Sequence, residues 1–61
     1  MMPEEHRKII SELKNLILRE EKHREQWLNL GDMRLYHYCE IRIWTFEEVI
    51  QLIYDLTYGE D

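Results

Sequence analysis

A few short groups of residues have types and spacings that chemistry could use. Glu20-Glu21-Lys22-His23 contains Glu-x-x-His, which on a helix puts two ligands on one face, as in carboxylate-bridged di-metal bundles. Such a centre needs two copies of the motif and further inward carboxylates. A dimer contributing Glu20, His23 and Glu40 from each chain would have to supply them. His37-Tyr38-Cys39 adds two more ligand types, but a four-ligand zinc site needs closely spaced ligand pairs, and Cys39 is the only cysteine. As a nucleophile, Cys39 would need a base, for which His23 and His37 are the candidates. It would also need an oxyanion hole, and no glycine-rich loop provides one. A small core residue is the better reading of Cys39. The remaining group is a strip of acids and one amide, Asp32, Glu40, Glu47, Gln51 and Asp55. It has no catalytic pattern and suits contact with a basic protein surface. The sequence therefore predicts no catalytic residue, no cofactor and no bound metal. Its expected chemistry is recognition.

Charge narrows the partner. The net charge is −5, and its placement is uneven. Up to Leu30, six acids balance six bases; from Gly31 onward, seven acids face only Arg34 and Arg42. A phosphate backbone is repelled by such a half-molecule, so direct nucleic-acid binding is disfavoured. The aromatic residues Tyr36, Tyr38, Trp44, Tyr54 and Tyr58 lack the basic groove that accompanies base stacking. Core packing is expected of Tyr36 and Trp44, and an interface role of one or two of the others.

Sixty-one residues make at most one domain, here 1–61, with a marginal core. Chains this short lean on disulfides, metals, very regular helix packing or a partner chain. A lone cysteine excludes an internal disulfide and fits a reducing compartment. No apolar run approaches a membrane span, and the acidic start Met1-Met2-Pro3-Glu4-Glu5 is unlike a basic signal peptide. A soluble cytoplasmic protein is the expectation.

The elements that must position these residues are helical. Pro3 suits the first helical position, and Glu4 and Glu5 suit the positive end of the helix dipole. Ile9, Ile10, Leu13, Leu16 and Ile17 recur at helical spacing. Nothing breaks the helix before Gly31, so one helix is predicted over about 3–29. Arg19 to Gln26 contains no apolar residue. It reads either as a solvated arm or as a polar patch on an inner face. Gly31-Asp32 is the turn signal: Gly for a left-handed residue, Asp to cap the next helix.

Residues 33–44 read two ways. As a strand over about 35–43, Met33, Leu35, Cys39, Ile41 and Ile43 share a face, which would give an α-β-α chain pairing its strand across a dimer or with a partner. As a helix, Tyr36, Cys39, Ile43, Phe46, Ile50, Ile53 and Thr57 recur at alternating threes and fours, a coiled-coil-like seam. The helix is favoured because a lone strand has no edge to bond. Thr45-x-x-Glu48 reads as a capping box, with Trp44 stapled on Val49, opening a last helix over about 46–58 that ends at Gly59. That helix is apolar on most sides and should be buried on several.

The expected fold is all-α: an antiparallel helical hairpin or three-helix arrangement, turning at 31–32 and completed by a second chain. In the hairpin, Leu13 falls near Ile50, Leu16 near Phe46, Trp27 near Tyr36, His23 near Cys39 and Glu40, and Glu20 near Arg42 or Ile43. Self-association is assigned to Phe46, Ile50, Ile53 and Tyr54. The acidic strip is left to a larger protein partner, with the chain acting as a homodimeric, non-enzymatic interaction module that modulates, as an inhibitor, the protein it binds. A nucleic-acid mimic whose carboxylates imitate phosphates is the alternative, and a metal-dependent helical oligomer ranks third. In size and composition the chain is similar to small inhibitors and adaptors encoded by bacteria and phages, though no motif ties it to a family.

Overall fold

The computed structural model describes residues 2–59 and holds two helices, α1 (Glu4–Leu30) and α2 (Met33–Tyr58), packed against each other as an antiparallel hairpin. No strand occurs among the described residues. The hairpin is one layer, spanning 45 × 19 × 9 Å over its Cα atoms. Pro3 stands just outside α1 with φ −58° and ψ 151°, and its carbonyl accepts the Arg7 N–H. It is the cap residue and not the first helical one. Met1, Glu60 and Asp61 lie outside the described residues.

The turn is set by two residues. Gly31 takes φ +76°, and the Gly31 and Asp32 N–H groups donate back to the carbonyls of Leu28 and Trp27. This is a Schellman closure, and the left-handed residue in it costs glycine nothing. Asp32 then opens α2: its carboxylate accepts the Leu35 N–H at 3.2 Å.

From there α2 runs unbroken, which corrects the expected division into a segment over 33–44 and a capped helix over 46–58. Thr45 is mid-helix, and its Oγ1 donates to the Ile41 carbonyl at 2.9 Å. A capping box needs a preceding residue outside the helix; here Asp32 has already capped the helix well upstream, and Thr45's own N–H belongs to the ladder. Trp44 is 70% exposed, so neither the staple on Val49 nor a core role holds for it. The strand alternative fails for the reason that favoured helix: the layer offers no edge, whereas a helix satisfies its own backbone.

Polar contacts mark the register along the seam. His6 Nδ1 meets Thr57 Oγ1 at 2.8 Å near the open end, Glu20 meets Arg42 at 3.1 Å in the middle, and the Arg24 guanidinium lies 6.0 Å from the Tyr36 ring centre near the turn. The seam itself is the one read from sequence. Ile10, Cys39 and Ile43 are buried, and Leu13, Ile17, Phe46, Ile50 and Ile53 are half-buried along it. No side chain among the described residues falls below 2% exposure. Two helices in one layer cover each other on one side only, and both broad faces stay open.

Candidate functional site

The polar patch of α1 is split by the hairpin. Glu20 is on the inner side, 8% exposed, against Arg42 of α2. Arg24 is half-buried, while His23 and Glu21 are exposed. The Arg42 guanidinium also lies 5.7 Å from the Tyr38 ring centre and 5.9 Å from that of Phe46. Tyr38 first, then Glu20, pushes its pKa further above an already high value. Its charge is thus answered within the chain. Expected neighbours Glu20 and Arg42 meet; His23 remains in solvent. Among the described residues no cluster of three or more His, Cys, Asp or Glu side chains could hold a metal ion. Glu20, His23 and Glu40 do not form such a cluster within one chain.

Cys39 is a buried free thiol. Burial first, then the adjoining Glu20 carboxylate, pushes its pKa above the ordinary 9.0, while Arg42 and Arg24 pull weakly the other way. Both main effects disfavour the thiolate, so the group is the core residue expected of it. Stability should depend on pH accordingly. The folded thiol holds its proton to higher pH than the unfolded one, so the contribution is complete below pH 9.0. It is lost as pH rises from there through the folded value, because the unfolded chain ionises first. Urea midpoints tracked from about pH 7 to about 10.5 should fall more steeply for the native chain than for a Cys39→Ala variant. Parallel profiles would remove the thiol from the seam.

Members of the acidic strip also carry roles within the chain, and for Asp32 it is the cap the sequence already assigned. Asp32 is spent on capping α2. Glu40 Oε1 pairs with His37 Nδ1 at 3.0 Å. The Gln51 amide donates to Asp55 at 3.0 Å. Glu47 is exposed, near the exposed Trp44 in sequence. Next to Trp44, a shallow groove is lined by Arg24, His37, Glu40, Ile41 and Ile43. Phe46, Ile50, Ile53 and Tyr54, the residues expected at a self-contact, are half-buried in the hairpin. Phe46, Ile50 and Ile53 continue the alternating three-and-four spacing of Tyr36, Cys39 and Ile43, the line that meets α1, while Tyr54 lies one position beside it.

Sequence reading missed a second line on α2, one position back from the first. Leu35, Tyr38, Arg42, Thr45, Val49, Leu52 and Leu56 are again spaced by threes and fours. All seven are exposed, with Leu56 at 74% and Tyr38 at 55%. Arg42 and Thr45 interrupt it when only letters are read. In the fold, the Arg42 Nε–H meets Glu20 and the Thr45 hydroxyl donates to the Ile41 carbonyl. The line is therefore an exposed row of mostly apolar side chains with the half-exposed Arg42 within it. On the opposite side of the seam, Arg7, Ser11 and Lys14 of α1 line a groove with Tyr54 and Tyr58; that side is the more polar.

No helix among the described residues is long and apolar enough to cross a membrane. No family model, curated protein or solved structure matches the chain.

Proposed function

We propose that this is a non-enzymatic interaction module that binds a larger protein in the cytoplasm and inhibits it, with a second copy of the chain completing its own core. The observation that carries this reading is Trp44, an indole 70% exposed and flanked along α2 by Glu40 and Glu47. Small proteins gain nothing by leaving a tryptophan in water, and tryptophan is among the residues that dominate binding energy once a partner covers it. The carboxylates around it favour a partner that is basic beside an apolar pocket. The absence of any fully buried side chain among the described residues supports the same reading, since a core this thin is commonly completed by another chain.

The test uses the tagged chain as bait in lysate of its native host. The bait should capture a defined protein, identified by mass spectrometry, and Trp44→Ala and Glu47→Lys should each lose it while keeping the native helical spectrum. The captured protein, once purified, should be inhibited by the native chain in its own assay. Identical capture by native and Trp44→Ala baits would remove Trp44 from recognition. Displacement of the captured protein by duplex DNA would instead favour the phosphate-mimic reading.

A further inference from the structure

We infer that the outer apolar line of α2 is covered by the same line of a second copy, running antiparallel about a two-fold axis near Thr45, to give a two-layer arrangement of four helices. This rests on the reading above that the chain self-associates, and specifies the face, the direction and the pairs.

Area supports the commitment to a second copy. The chain exposes 5041 Å², whereas a compact protein of 7.7 kDa exposes about 4,300 Å². The excess, about 700 Å² over the whole chain, is what a one-layer shape leaves open, and a standard interface hides roughly 800 Å² on each partner. The polar groups within the line have partners: the Thr45 hydroxyl donates to the Ile41 carbonyl and the Arg42 Nε–H to Glu20. The remaining Arg42 N–H groups are left for a carboxylate of the second copy, so covering the line need not strand a charge.

Charge decides the direction. The flank of the line carries Arg34 at one end and Glu48 and Asp55 toward the other. Two copies running parallel would set Arg34 against Arg34 and Asp55 against Asp55. Running antiparallel about Thr45, each Arg34 comes within one residue of level with Asp55 of the second copy, and each Arg42 level with its Glu48. Leu35 then lies within one residue of level with Leu56, and Tyr38 across from Leu52. An isologous contact needs such self-complementarity, in which i meets j while j meets i. The contact leaves Trp44 and Glu47 on the open side of α2, so the second copy and the larger protein can be held at once.

Single cysteines introduced into the Cys39→Ala chain test this at micromolar concentration under mild oxidation. Thr45→Cys should form a disulfide-linked dimer. Leu35→Cys alone should not, while Leu35→Cys mixed with Leu56→Cys should. Linking of Leu35→Cys to itself, with no mixed product, would overturn the antiparallel direction. A dimer by light scattering in which Thr45→Cys stays unlinked while Trp44→Cys links would overturn the face. A strictly monomeric native chain with its helical spectrum intact would overturn self-association itself. Charge provides an independent check: Arg34→Glu should weaken the dimer several-fold, and Arg34→Glu with Asp55→Arg should restore it.

Discussion

Ile43→Asp will leave the chain unfolded at 25 °C, with the far-ultraviolet helical signal lost, while Leu18→Asp will leave it folded. Both substitutions put a carboxylate in place of a branched aliphatic side chain on a helix. Ile43 is 5% exposed at the middle of the seam, and Leu18 is 57% exposed on α1. Losing the buried Ile43 side chain costs roughly 2–3 kcal/mol. A carboxylate that stays between the helices adds several kcal/mol of desolvation. Against this, a core of this size supplies about 3–5 kcal/mol in all, so the variant has no margin. At Leu18 the new carboxylate is solvated and the change stays within about 0.5 kcal/mol. Circular dichroism with urea melts at one fixed protein concentration checks both, the fixed concentration mattering because self-association feeds stability. A folded Ile43→Asp chain would mean that the helices are not held by this seam.

Much of that seam was legible in the order of residues alone. Alternating threes and fours from Tyr36 to Thr57 name the side of α2 that meets α1, and Gly31-Asp32 names the turn, because only Gly adopts φ +76° without strain and Asp caps the helix after it. The turn sets the register, so Glu20 opposite Arg42 or Ile43 could be read as well, and the contact in the fold picks Arg42. Two features could not. Thr45-x-x-Glu48 has the letters of a capping box, but whether a threonine caps or bonds back to the residue four before it depends on whether a helix already runs through it. That was settled by Asp32, far outside the local window. The outer line was hidden for a related reason. Arg42 and Thr45 count as polar in any periodicity, and only contacts made in the fold (Glu20 for one, the Ile41 carbonyl for the other) show that part of that polarity is met within the chain. Trp44 was assigned to the core because large aromatics usually are buried. At its position on α2 it borders a groove that reaches Arg24 of α1, yet the one-layer fold leaves it 70% exposed.

The Glu20–Arg42 pair will respond unequally to loss of its two members. Arg42→Ala will destabilise the hairpin clearly, and Glu20→Leu will be neutral or stabilising by about 1 kcal/mol. The contact is the same 3.1 Å pair from either side, so the difference lies in the group left behind. The Glu20 side chain is 10% exposed, and without the guanidinium its carboxylate stays between the helices, unpaired. The Arg42 side chain is 44% exposed and can swing into water when Glu20 is gone, while the leucine introduced in its place adds apolar packing beside Cys39 and Ile43. Combining the two changes should recover much of the stability that Arg42→Ala loses, a strongly non-additive cycle expected of groups in contact. The remainder is the packing of the Arg42 side chain over Tyr38 and Phe46, which a leucine on α1 cannot replace. Urea midpoints of the four proteins decide it; equal losses for the two single changes with an additive double would mean that the pair is solvent-exposed and inert. If the asymmetry holds, a buried carboxylate has been kept where leucine would be at least as stable. Its use is then specificity. It admits one register of the hairpin, the one that puts a cation opposite it, and by neutralising Arg42 it leaves the outer face of α2 fit to be covered by another chain.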